Sequence, residues 1–238
     1  MQQLHKNKKP TLTEFDSYIE HYRKNLDKHC APTGESTAYF NQLKAQKLQE
    51  WLARYHIKHP NSILDFGCGD GAMTYEVKKI FPETSIFGVD PSPESITTAQ
   101  ENYSLISFNT SSETIPFKDA SFEVIYTAGV LHHIPFDMHT HYIQECMRVL
   151  KPGGFLIIFE LNPINPGTRY IFNRNPIDQN ATMLTPWYTK KITQNFTYKE
   201  TIFYCFFPHF LRFLRPLEAW LTAIPFGGLY GTIVKKTF

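Results

Sequence analysis

Between residues 63 and 160, short apolar runs alternate with stretches in which apolar positions recur every three or four residues. The runs predict strands at 63–66, 85–89, 105–109, 122–126 and 154–160, and the helical periodicity predicts helices at 72–81, 93–103 and 138–149. Ser92, Pro93 and Glu94 open the second of these helices with a polar cap, an early proline and an acid suited to the helix dipole. Such alternation implies a parallel sheet with helices on both faces. Upstream, Phe15, Tyr18, Ile19, Tyr22 and Leu26 repeat at helical spacing over 12–29. Phe40, Leu43, Leu48, Trp51, Leu52 and Tyr55 form one face of a longer helix that also carries Lys44 and Lys47. Residues 1–58 are therefore expected to be an appended helical cap on a domain spanning 59–238. Beyond Glu160 the regularity breaks into a polar, proline-punctuated insertion at about 161–185, long enough to suggest a functional loop. A helix from Pro186 to about Phe196, a strand at 202–207, a helix at 210–221 and a last strand at 229–236 complete the expected order.

The chemistry concentrates where the first strand ends. Ile63 to Gly71 read ILDFGCGDG, a buried-strand pattern running into Gly67, Gly69 and Gly71, a turn that a backbone carrying Cβ atoms would not make easily. The next strand ends in IFGVD, which sets Asp90 at its tip, where a carboxylate can accept hydrogen bonds from a ribose diol, as in nucleotide-binding βαβ units. A dinucleotide fingerprint needs G-x-G-x-x-G. Here the spacing is G-x-G-x-G behind Asp65, an acid that would repel a pyrophosphate but could order the turn and attract an ammonium group. The stretch DFGCGDG resembles the signature of class I S-adenosylmethionine-dependent methyltransferases, and Asp90 matches that family's ribose-binding acid. The turn from Lys151 to Gly154 into the strand LIIFEL is similar to the family's approach to its fifth strand.

The resemblance, clearest from Ile63 to Glu160, implies an α/β fold, a Rossmann-like seven-stranded, mostly parallel sheet with helices on both faces; the N-terminal helical cap and a C-terminal hairpin-like addition complete the expected chain. It implies S-adenosyl-L-methionine as cofactor and methyl transfer to an oxygen or nitrogen of a small-molecule acceptor, lipid-linked or soluble. Asp65, Gly67, Gly69 and Gly71 would lie beside its methionine portion. FNTSSETIPF, residues 108–117, resembles the segment framing the adenine, with Ser111 where the family often has an acid and with Ser112 and Ile115 as neighbours.

Composition narrows the partners. The 238 residues carry 24 Lys plus Arg against 22 Asp plus Glu, a net charge of +2, too near neutral for a nucleic-acid footprint. The four cysteines lack C-x-x-C spacing, so neither a zinc knuckle nor a disulfide framework is indicated, no residue pattern demands a metal, and a reducing cytoplasm is the natural compartment. The basic N-terminus is not followed by a secretory apolar core, and no run approaches a membrane span.

For catalysis, His132 and His133 lie in YTAGVLHHI at the C-terminal end of the fourth strand, where either could take a proton near neutral pH or serve only as a structural cap. Acceptor binding is expected from Glu160, Asn162, Arg169 and Arg174 after strand five, with Tyr18 and Tyr22 of the cap closing over the site or forming a packing stripe. Phe206 to Leu221, with Arg212 and Arg215 interleaved, reads as a core or homodimer face; an interfacial helix making peripheral membrane or lipid contact is the other reading. Two rival functions stay open: an NAD-dependent oxidoreductase, and a catalytically silent adenosyl-binding partner protein.

Overall fold

In the computed structural model, which describes residues 27, 28 and 30–237, the strands are β1 (Ser62–Phe66), β2 (Ser85–Asp90), β3 (Ser107–Thr110), β4 (Phe122–Ala128), β5 (Leu150–Leu161), β6 (Thr197–Tyr204) and β7 (Leu229–Lys235). They form one seven-stranded sheet in the order β3-β2-β1-β4-β5-β7-β6. β1 to β5 are parallel, and β7 runs antiparallel between β5 and β6. The Rossmann-like α/β architecture is therefore present, with the expected antiparallel addition at its C-terminal end.

Two apolar layers follow from the two-residue period of the strands. Phe155, Ile157 and Phe159 of β5 face one layer, and Leu156 and Ile158 face the other. The first layer is covered by α1 (Thr37–Arg54), α2 (Ala72–Ile80) and α3 (Pro93–Asn102), the second by α4 (His139–Val149) and α6 (Pro186–Ile192). α3 starts as its sequence indicates, with the Ser92 hydroxyl accepting from the Ser95 N–H at 3.1 Å and Pro93 in the first turn.

α1 is part of this core rather than a separate cap. Trp51 stacks on Phe159 of β5 with ring centroids 5.0 Å apart and meets Tyr204 of β6 edge-on at 5.6 Å. The close approach depends on Gly231 of β7, where a Cβ would lie 2.2 Å from the indole. The earlier helix, with Tyr18 and Tyr22, lies outside the described residues.

Three other expectations change. The 161–185 insertion is ordered into α5 (Pro166–Phe172), capped by Asn165, and a 3₁₀ turn Pro176–Asp178. β6 begins at Thr197 and ends at Tyr204, earlier than the apolar run suggested. The helix expected over 210–221 is instead a 3₁₀ run His209–Leu217, interrupted at Leu211 and containing Pro216, followed by the single turn α7 (Glu218–Leu221). The core reading of this segment is overturned, because Phe210, Phe213 and Trp220 are 74%, 72% and 80% exposed.

Candidate active site

The parallel strands deliver their C-terminal ends to one edge of the sheet, where an open α/β fold binds ligands. At the end of β1 the chain turns through Gly67 and Gly69 with φ of +82° and +52°, left-handed values that side-chain-bearing residues resist. A Cβ on Gly67 would lie 2.3 Å from Val130 after β4, so this glycine lets the two turns pack together; one on Gly69 would meet nothing within 4 Å, so its backbone faces open space. Gly71 forms the N-terminal boundary of α2.

Asp90 stands beside that opening. One carboxylate oxygen accepts from the Gly69 N–H and the other from the Ser92 N–H, each at 2.9 Å, which fixes its plane at the tip of β2. Ser111 is buried next to it, its N–H bonded to the Asp90 carbonyl at 3.0 Å, while Ser112 is exposed. Ile115 is placed elsewhere: its side chain packs into the α4-side core and its N–H donates to Glu145 at 3.0 Å.

Asp65 is buried beneath the turn. One of its oxygens accepts from Thr74 of α2 at 2.6 Å and from Tyr126 of β4 at 2.7 Å, so it ties three elements together. Burial pushes its carboxyl up to about 7 despite those two bonds and the nearby Lys44. Lys44, reaching in from α1, is drawn down by burial while Glu160 and Asp65 pull the other way, and it makes no ion pair among the described residues. Sequence reasoning placed Lys44 only on a helix face; nothing in its spacing marks it as a site residue.

A polar corner lies past Val130. His132 donates from Nδ1 to Glu160 at 2.6 Å, and the other Glu160 oxygen accepts from the Leu131 N–H at 3.1 Å. The Nε2 atoms of His132 and His133 lie 3.6 Å and 3.5 Å from the same oxygen of Asp178, in the 3₁₀ turn of the insertion. Burial alone would depress the His132 imidazolium, but Glu160 and Asp178 outweigh it and hold its pKa at about 9. Burial and the neighbouring His132 push His133 down to about 3. Asp178 had no distinguishing signal in sequence beyond the Asn175–Pro176 turn that presents it.

The remaining acceptor candidates separate. Asn162 is fully buried, donates to the Pro225 and Gly227 carbonyls at 3.0 and 2.7 Å, and accepts from the Ile164 N–H at 3.1 Å. With both amide hydrogens and its oxygen engaged, it clamps the β6–β7 connection instead of facing an acceptor. Arg169 is exposed on α5 and Arg174 just past its C-terminal end, the latter over the Tyr170 ring at 4.4 Å.

These residues suit an adenosyl amino acid: open space before Gly69, an acid for a diol at Asp90, and an acid and a base for the two ends of a zwitterion at Asp65 and Lys44. Comparison with known proteins agrees. The family model described as a methyltransferase domain matches residues 64–158. An uncharacterized methyltransferase of Schizosaccharomyces pombe is 31% identical over 134 residues, covering 50% of this chain and 48% of its own. The demethylmenaquinone methyltransferase of Chlorobaculum parvum is 32% identical over 128 residues, covering 52% of each. The chain thus spans about half the length of these curated relatives. A solved S-adenosylmethionine-dependent methyltransferase from Thermotoga maritima shares the fold over 95% of this chain and 100% of its own, with a TM-score of 0.69 at 18% identity. Residues 64–158 thus form a methyltransferase domain, in a fold shared with solved S-adenosylmethionine-dependent methyltransferases.

Proposed function

We propose that this protein transfers a methyl group from S-adenosylmethionine to an oxygen or nitrogen of a small-molecule acceptor with an apolar body. The observation that carries the cofactor half is the pairing of the open, left-handed Gly69 backbone with the Asp90 carboxylate it hydrogen-bonds at 2.9 Å. When bound, the cofactor supplies an electrophilic methyl on a sulfonium. The chain's part is alignment and exclusion of water. Asp90 receives the ribose hydroxyls, Asp65 and Lys44 receive the ammonium and carboxylate of the methionine end, and the corner of His132, His133 and Asp178 receives the polar reacting end of the acceptor.

The apolar body is supported by the exposed aromatic side chains of the β6–β7 connection. β7 starts at Leu229 opposite Leu161, the C-terminal end of β5, so this connection borders the ligand edge of the sheet. Phe210, Phe213, Trp220 and Phe226 are all exposed there. Among the described residues no helix is long and apolar enough to cross a membrane.

Calorimetric titration with S-adenosylhomocysteine, with NAD as control ligand, tests the reading. Binding of the first alone is expected; binding of NAD, or of neither, would reject it.

A further inference from the structure

The His132–His133–Asp178 corner has a geometry that substrate positioning alone does not require. Three donor atoms, one nitrogen of each histidine and one oxygen of Asp178, lie within 4.8 Å of one another, and the Nε2 atoms of His132 and His133 stand 3.6 and 3.5 Å from one Asp178 oxygen. A tetrahedral ion bonded at roughly 2.0–2.1 Å holds its donors roughly 3.4 Å apart. The two nitrogen-to-oxygen separations are therefore close to two edges of such a tetrahedron.

The groups behind these donors aim them. Glu160 accepts the hydrogen bond from Nδ1 of His132 at 2.6 Å, so a cation entering the corner would displace the proton on Nε2 and take that nitrogen as its ligand. The Asn175 amide donates to the second oxygen of Asp178 at 2.7 Å, so the first oxygen is the one turned toward both imidazoles. Asn175 is itself fixed by accepting from the Ile177 N–H at 3.2 Å. The Thr182 N–H bonds the His132 carbonyl at 2.8 Å, fastening the insertion to the turn after β4. Asp178 is only 8% exposed, while the His133 side chain at 18% leaves a route from solvent.

Charge balance points the same way. With neutral imidazoles the corner holds two carboxylates, Glu160 and Asp178, in a buried setting where uncompensated charge is costly. A divalent cation bound there would offset the charge of both. We infer that His132, His133 and Asp178 form a binding site for a divalent transition-metal cation of the zinc class, with Glu160 and Asn175 as positioning residues. Two imidazoles favour zinc, copper, iron or nickel over magnesium, calcium or manganese. Its use, polarising an acceptor hydroxyl so that the proton leaves more easily, rests on the methyl-transfer reading; cation binding itself does not.

The test uses the untagged full chain, stripped with a chelator and titrated with zinc by calorimetry, and with cobalt by visible absorption. One zinc per chain and the d–d bands of tetrahedral cobalt are expected. His133→Ala and Asp178→Asn should each weaken zinc binding by more than about tenfold and abolish the cobalt bands, and Glu160→Gln should weaken it by about 10–100-fold. Absence of stoichiometric binding, or binding unchanged in both ligand variants, would overturn the site and leave His132 as an imidazolium held between two carboxylates. If Asp178→Asn fails to fold by circular dichroism, His133→Ala on the partly exposed residue decides alone. S-adenosylhomocysteine titration of the same samples separates the two claims: zinc without the adenosyl ligand rejects the methyltransferase reading, and the adenosyl ligand without zinc rejects the metal site.

Discussion

The buried acid beneath the glycine turn makes folding stability depend on pH in a direction opposite to most carboxylates. In the unfolded chain Asp65 ionises near its ordinary value of 3.8, whereas in the fold burial delays ionisation until about 7. Between those values the folded state binds more protons than the unfolded state, so stability falls as pH rises from about 4 to about 7 and levels beyond. At 1.36 kcal/mol per pH unit, the rise corresponds to about 4 kcal/mol as an upper bound.

Asp65→Asn isolates the effect, because an asparagine oxygen can still accept the bonds from Thr74 and Tyr126 that the carboxylate accepts at 2.6 and 2.7 Å. Urea unfolding followed by circular dichroism at pH 4.5, 6 and 8 measures both proteins. Other titrating groups, the histidines included, are common to both and cancel in the difference. The variant should gain roughly 2–4 kcal/mol on the wild type across that span. Parallel curves, with a difference constant to within about 0.5 kcal/mol, would refute the assignment of a proton to Asp65. The same carboxyl bears on function: a ligand ammonium placed beside it favours the ionised form, so wild-type S-adenosylhomocysteine binding at pH 6 should release a proton that Asp65→Asn does not.

Two further expectations concern the ends of the site. Asp90→Ala should weaken S-adenosylhomocysteine binding more than tenfold, since it removes charge-assisted bonds to two hydroxyls, and unchanged calorimetric affinity would reject the ribose assignment. Wild-type protein should float with lipid vesicles, whereas the double variant Phe210→Ser/Phe213→Ser, altered at side chains 74% and 72% exposed, should stay with the soluble fraction at an unchanged melting temperature; equal flotation of both would exclude these rings from lipid contact.

The β1–α2–β2 unit was readable because independent signals coincide there: an apolar strand, a glycine turn that tolerates left-handed backbone, and an acid at the next strand's tip. The C-terminal third was less readable for identifiable reasons. β6 lies at the sheet edge, so its first half, Thr197 to Glu200, is polar and only its buried end stands out as apolar. The apolar run then continues past the strand, which stops where Cys205 takes φ +62°. Residues 210–221 have helical spacing, but Pro216 lacks the N–H that an α-helix needs, and most of the apolar side chains find no surface to cover.

The acceptor side was obscured by a different cause. The cofactor edge comes from segments close in sequence, so spacing alone exposes it. The rest of that edge is assembled from His132 and His133 after β4, Glu160 at the end of β5 and Asp178 in the insertion. Each residue has an ordinary local role: a turn histidine, a strand-end acid, an aspartate in a short 3₁₀ turn. Their meaning comes from contact. Parallel pairing of β4 with β5 brings Glu160 to the Leu131–His132 turn, and the bond from Thr182 to the His132 carbonyl brings Asp178 to both histidines. The insertion therefore completes the polar corner itself, from a segment outside residues 64–158 of the matched methyltransferase domain. Under the proposed function, acceptor choice would then be set by that segment, independently of the glycine turn and its acid.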